Sequence, residues 1–398
     1  MFLRKYMLEP IRKKTKTLLV ISNGEAEDAI ACSILAHLDP KIKIIAAPLV
    51  SHGKSYTKKG IPLCCPTISL PSRGFNNQSL KAFTTDIKSG LGKLTLKQIQ
   101  GIWKIRKEVD FVFTCGDVLP QFFGFLTGKP YLSLFTALSE YYIRNQQGLY
   151  SSLVQKLEQA KLWRSCAFSV FDRALMKASR CQGVFVRDQW THEHLKTFGI
   201  KSFFLGNPMM DHLDQKKNFK EFKREQKTIL LLPGSRAPEV YQNLKQMLKV
   251  LKPLKNSSYN IAVNLTSHMD RQKCLELVKD SPLPIHLMEN SFSHLLNKAD
   301  LALAMCGTAA EQAIGKGLPV VSMPGEGPQF ILRFAKRQKL LLGDSYFLIT
   351  EGELTVAKKI EELLKKNKSL FKENSLHRMG SMGGSQKTAE KIAEIFQL

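Results

Sequence analysis

The sequence predicts an α/β protein built on doubly wound parallel sheets, and three observations carry that expectation. Short runs of branched apolar residues alternate with helical patterns along the chain. Those runs are apolar throughout, which marks strands covered on both faces. Several end in glycine-rich turns that open the next helix, as right-handed crossovers between parallel strands require.

Taken in order, Thr17–Ser22 reads as the first strand. Ala26–Leu38 follows with apolar residues at helical spacing, and Ile42–Leu49 is the second strand. Phe111–Leu138 has only Asp117 and Lys129 as charges and is long enough to span a bilayer. Gly116, Pro120, Gly124, Gly128 and Pro130 interrupt it. It therefore reads as strand (Phe111–Thr114), helix (Val118–Thr127) and strand (Tyr131–Leu134). Later strands are Gly183–Val186, Ser202–Leu205, Thr228–Leu232, Tyr259–Leu265, Leu301–Ala304 and Pro319–Met323.

A charged stretch over 208–227 separates two strand-first halves. The expected domains are 1–207 and 208–385. A helical tail over 386–398 is expected to pack back on the N-terminal domain.

The 398 residues carry 59 Lys+Arg against 34 Asp+Glu, a net charge of +25. Residues 1–207 hold 30 basic and 14 acidic side chains, a net of +16. This charge admits nucleic acid, an anionic membrane or phosphorylated ligands as partners. No RNP, KH, zinc-finger or basic-zipper pattern supports nucleic acid. The eight cysteines form no C-x-x-C pair, so neither a zinc ribbon nor another metal site is expected, and the compartment reads as reducing. The basic segment MFLRKYMLEPIRKKTK lacks the apolar run of a secretory signal.

Ligands of open parallel sheets bind beyond the carboxyl ends of the strands. Thr228–Leu232 ends in Pro233-Gly234-Ser235-Arg236, where a tight turn, a capping hydroxyl and a fixed cation precede a helix. That combination suits a phosphate, and equally a capped loop with a surface arginine. Leu301–Ala304 runs into Gly307-Thr308-Ala309-Ala310-Glu311. Glu311 has capping-box spacing from Thr308, or it accepts hydrogen bonds from a ribose diol. Pro319–Met323 ends in Pro324-Gly325-Glu326-Gly327-Pro328-Gln329. Three such turns on one domain argue for a nucleotide-diphosphate site.

In the first domain, the first strand ends in Asn23-Gly24-Glu25-Ala26-Glu27-Asp28, which either caps a helix dipole or binds a polar acceptor. Asp117 follows a buried strand. It either caps the next helix or acts as a general base.

The PGSR, GTAAE, LGNPMMD (205–211) and SNGEAED segments together resemble the lipid-A-disaccharide synthase family, closest to its synthase-related branch. The resemblance implies a GT-B fold, two Rossmann-like domains facing a central cleft. It further implies a bacterial enzyme of glycolipid biosynthesis that uses a UDP-sugar and a lipid-linked acceptor. On it, Arg236 lies near the diphosphate, Gly307 and Thr308 contact phosphate, Glu311 takes the ribose, and Asp117 is the acceptor-side acid. Gly206 and Asn207 match an interdomain turn whose usual His is Asn here. The first loop and PGEGPQ depart from the family pattern.

The expected reaction is inverting transfer of a hexose or N-acetylhexosamine without metal or cofactor, at the inner face of the cytoplasmic membrane. A UDP-sugar 2-epimerase and a non-catalytic nucleotide- and membrane-binding protein are the competing readings. His192 and His194, two residues apart, point away from each other on a helix. Oligomeric state is not readable.

Overall fold

The computed structural model describes residues 15–67, 91–145, 148–149, 166–211, 213, 222–223, 225–254, 258–266 and 268–398. The chain forms two compact units. One comprises Met1–Thr136, Leu175–Val184 and Thr388–Leu398; the other comprises Ala137–Ala174 and Phe185–Lys387.

The first sheet contains β1 (Thr17–Ser22), β2 (Lys43–Pro48), β3 (Phe111–Gly116) and β4 (Tyr131–Phe135). After a hairpin of β5 (Arg144–Asn145) and β6 (Gly148–Leu149) come β7 (Cys181–Phe185) and β8 (Ser202–Phe203). The sheet order is β2-β1-β3-β4-β7-β8, and β1 pairs in parallel with both β2 and β3. A single parallel bridge, Ala46 to Leu63, lies beside β2. Every residue of β1 and β4 is buried, as all-apolar strands predict.

The second sheet holds β9 (Lys227–Leu232), β10 (Tyr259–Leu265), β11 (Ile285–Glu289), β12 (Leu301–Ala304), β13 (Val320–Ser322) and β14 (Tyr346–Leu348). Its order is β11-β10-β9-β12-β13-β14. Alternate residues feed two cores. Leu231, Val263, Leu303 and Val321 pack with the helices Glu239–Leu251 and Glu353–Leu364. Leu230, Leu232, Ala262 and Ala302 pack with the helix Thr308–Gly315. This is the sheet covered on both faces that the apolar runs predicted.

In each sheet the order reverses beside the first strand, between β1 and β3 and between β9 and β12. Such reversal points open a crevice at the strand ends.

The stretch Phe111–Leu138 resolves into β3, the helix Val118–Leu126 and β4. Among the described residues no helix is long and apolar enough to cross a membrane. The tail helix, Gly384–Phe396, ends with Phe396 stacked on Phe111 at 4.5 Å, both in the first unit. Residues 137–174 and 185–207, read from sequence as first-domain, fall in the second unit. Glu140 N–H donates to Thr191 between the two segments, and the buried Arg187–Glu311 pair ties them to the rest of that unit. Half of the charged 208–227 stretch lies outside the described residues.

Candidate nucleotide and acceptor sites

In the second unit, β9 and β12 are neighbours, with Leu232 beside Ala304. Their following loops are therefore adjacent. Gly234 adopts φ +103, a conformation that strains any residue with a side chain, and a Cβ there would face the Met305 carbonyl at 3.6 Å. Asn243 ties the two loops, donating from Nδ2 to the Pro233 carbonyl at 2.9 Å and the Met305 carbonyl at 3.5 Å. Its Oδ1 is buried without a hydrogen-bond partner.

The third turn joins the same cluster. Arg236 donates to the Gln329 side chain at 3.4 Å. Buried Glu239 accepts from the backbone N–H of Gln329 at 3.2 Å and of Phe330 at 2.6 Å. A Cβ at Gly327 would lie 2.4 Å from Glu239 Cγ, so glycine is required. Thus Gly234, Ser235, Arg236, Gly327 and Gln329 come together, beside Gly307, Thr308 and Ala309 at the end of β12. The helix Glu239–Leu251 starts after Pro238 with no side-chain cap, so Ser235, exposed, does not cap it.

The helix Thr308–Gly315 also begins with no side-chain cap. Its exposed Thr308 and its helix start suit an anion. The Cys306 sulfur lies against the N–H groups of Ala310 and Ala309, and burial pushes its thiol up to about 12.

Glu311 takes no part in a capping box. Its Oε2 accepts from Arg187 Nη2 at 3.0 Å, and both side chains are buried. Its Oε1 receives Gln338 Nε2 at 3.4 Å. Burial opposes the Arg187 charge; Glu311, Tyr142 and Asp188 outweigh it and raise its pKa. The sequence reading missed Arg187 and Gln338. An arginine at the end of an apolar strand was the available signal for the first, of the same kind that singled out Asp117.

In the first unit, the β1 and β3 ends hold the acidic groups. Asp28 is buried and accepts from the hydroxyls of Ser22, at 2.6 Å, and Ser51, while Tyr56 donates to Ser22 at 2.8 Å. Burial still raises its pKa. Asp28 thus ties the loop internally. Glu25 is exposed in the first turn of the helix Glu25–Leu35. Glu27 accepts from Thr136 at 3.3 Å. Burial raises its pKa, and the charges of Asp117 and Asp28 add to the rise. A Cβ at Gly116 would lie 2.8 Å from Asn23 Cβ, so glycine lets the two strand-end loops touch. Asp117 caps the helix Val118–Leu126 by accepting from Leu119 N–H at 2.9 Å. It is half-buried beside Glu27, so capping and proton transfer are compatible roles for it.

The LGNPMMD segment is structural within the second unit. Gly206, at φ +100, would place a Cβ 2.6 Å from the Ser381 carbonyl. Asn207 caps the short turn Pro208–Met210, accepting from Met209 N–H at 3.2 Å. Asp211 accepts from Gly383, Gly384 and Ser385 N–H at 2.6, 3.2 and 2.7 Å, holding the start of the tail helix.

His192 bonds Ser202 at 2.9 Å, whereas His194 lies 3.6 Å from Glu140, so the two point apart as predicted. Among the described residues Glu140, Cys166 and His194 form the one cluster with metal-ligand spacing. Arg144 Nε, 2.9 Å from Glu140, already supplies positive charge there.

Residues 191–323 match the sequence profile of the lipid-A-disaccharide synthetase family. No curated protein matches the chain. Among solved structures, the calicheamicin glycosyltransferase CalG4 is 13% identical, with 96% of this chain and 99% of that one covered, at TM-score 0.62. Acinetobacter baumannii MurG is 14% identical over 95% and 99%, at TM-score 0.56. A Neisseria meningitidis UDP-GlcNAc 2-epimerase, solved with UDP-GlcNAc, is 14% identical over 96% and 99%, at TM-score 0.55. The two six-stranded parallel sheets have the GT-B fold shared by glycosyltransferases and these epimerases.

Proposed function

We propose that the chain is a UDP-sugar glycosyltransferase that moves a hexose or N-acetylhexosamine to a hydroxyl of a lipid-linked acceptor. One observation carries the donor assignment. Two adjacent strand ends at the β9/β12 reversal offer glycine turns, a helix N-terminus and Arg236 in one place. Phosphates bind at such helix starts, and a cation beside them stabilises charge growing on a leaving diphosphate. The profile match over 191–323 covers the β9 and β12 turns and favours the same donor.

On this reading Asp117 takes the proton of the acceptor hydroxyl as that oxygen attacks the sugar C1 and UDP leaves. A single displacement inverts the anomeric centre. Diphosphate stabilisation by Arg236 and helix N-termini needs no metal.

The helix Leu91–Ile105 favours membrane docking by the first unit. Leu96 (62% exposed) and Trp103 (46% exposed) lie seven residues apart on one face, beside exposed Lys97, Lys104 and Lys107. Apolar anchors set among lysines suit an anionic lipid surface, each lysine adding about 1 kcal/mol near it.

The likeness to UDP-GlcNAc 2-epimerases keeps isomerisation as a second reading. Incubation with UDP-GlcNAc separates the two. Release of UDP that depends on an added lipid acceptor is expected. A 2-epimer formed without acceptor overturns transfer, and no consumption of any UDP-sugar by a UDP-binding protein leaves the non-catalytic reading.

A further inference from the structure

We infer that Arg187 is a positioning residue for ribose recognition, fixing Glu311 through one carboxylate oxygen and leaving the other to accept from a ribose hydroxyl. The inference rests on the donor site proposed above and adds to it a residue outside the strand-end turns.

The geometry is specific. Glu311 is one turn into the helix Thr308–Gly315, whose start is the proposed phosphate end. Its carboxylate has two oxygens in different situations. Oε2 receives Arg187 Nη2 at 3.0 Å, a short charge-assisted contact. Oε1 has only the long 3.4 Å contact from Gln338 Nε2. A carboxylate oxygen holds two acceptor sites, so Oε1 keeps capacity for a hydroxyl donor.

Gln338 supplies an independent sign of a ligand. It is 4% exposed, and its Oε1 is buried with no hydrogen-bond partner. Such a group is costly unless something donates to it. Its amide nitrogen lies 3.7 Å from where a Gly307 Cβ would be, so it sits at the same turn. A vicinal diol brings two donors to one place, enough for Glu311 Oε1 and Gln338 Oε1 together.

Arg187 does a job that burial alone makes necessary. A buried carboxylate needs a compensating partner, and the guanidinium, 3.0 Å from Oε2, supplies it and fixes the orientation of the carboxylate. Met379 sulfur, 3.7 Å from Nη2, and the neighbouring Asp188 hold the arginine in turn.

Calorimetry of UDP against 2′,3′-dideoxy-UDP tests this. The wild-type chain should prefer UDP by ~10-fold or more, the usual worth of hydrogen bonds to a charged group. Arg187→Met should reduce that preference to under ~3-fold, and Arg187→Lys should restore much of it. Gln338→Leu, which removes no charge, should lower the preference by a smaller factor with folding intact. Arg187→Met with Glu311→Met, which removes the whole pair, controls for stability and should show no preference.

If Arg187→Met and Gln338→Leu both keep the wild-type preference, the positioning role is wrong. If the wild-type chain binds both ligands equally, Glu311 is not a ribose acceptor, the inference fails, and the diphosphate site survives. If UDP itself does not bind, the proposed donor site fails as well.

Discussion

At the β1/β3 ends the first unit carries Glu27, Asp28 and Asp117. At the β9/β12 ends the second unit carries Arg236 and the turns at Gly234 and Gly307. Both places are reversal points of a six-stranded sheet. The backbone supplies the same crevice twice, and the side chains make one edge acidic and the other receptive to anions. The acidic edge holds protonatable groups whose pKa values burial raises. At the other edge buried Glu311 pairs with Arg187, and buried Glu239 accepts from the Gln329 and Phe330 N–H groups. On the function proposed above, the contrast corresponds to a division of labour, proton removal at one edge and leaving-group stabilisation at the other.

The strongest way to break this division is at Asp117. Asn caps helices as well as Asp, so Asp117→Asn should fold normally. It cannot act as a base. Transfer should fall ~10²- to 10⁴-fold, the usual worth of general base catalysis, with UDP affinity unchanged. Turnover and calorimetry on the same preparation check both halves. Glu27→Gln should cost less than ~10-fold in rate; a larger loss than at Asp117 would move the base to Glu27.

The opposite edge is tested at Arg236. Arg236→Ala removes a charge-assisted contact worth about 1.5–3 kcal/mol, so UDP should bind ~10- to 100-fold more weakly. Unchanged affinity would put the diphosphate elsewhere.

The strands were legible because buried parallel strands are written as apolar runs. Tyr259–Leu265 and Leu301–Ala304 match the structure residue for residue. The edge strands β11 and β14 were not read. Ile285–Glu289 is half-buried or exposed throughout and has no apolar run to mark it, and Tyr346–Leu348 is only three residues long. The strand-end turns were legible because glycine and proline act locally. The partner of Glu311 was not, because a bond spanning 124 residues leaves no trace in spacing. The capping-box spacing at Thr308 and Glu311 was misleading for the same reason: a buried guanidinium outcompetes a local N–H. Asp211 shows the converse. It lies inside a family-like segment, yet it holds three N–H groups at the start of the tail helix.

That structural role gives a smaller effect, one that leaves the division of labour untouched. Asp211→Ala should lower stability by about 1–2 kcal/mol, as loss of a helix cap does. UDP affinity should stay at the wild-type value, and the thermal midpoint should fall. A loss of UDP affinity without a loss of stability would make the segment part of the donor site.

The smallest effect sharpens the acidic edge. The raised pKa of Glu27 means that the folded chain holds its proton more tightly than the unfolded chain does. Between the ordinary glutamate value, about 4.3, and the raised one, the native state therefore binds more protons than the unfolded state. Stability must fall as pH rises through that window, and the contribution is fully present only below it. Glu27→Gln cannot titrate, so its stability should decline less steeply with pH there. Some slope should remain, because Asp28, Glu140, Asp172 and Asp188 are raised too, chiefly by burial. Urea midpoints of both chains across that window decide it. Parallel curves would mean that Glu27 is solvated like an ordinary surface glutamate, and this edge would then lack the buried, raised carboxyl that sets it apart from the one at Arg236.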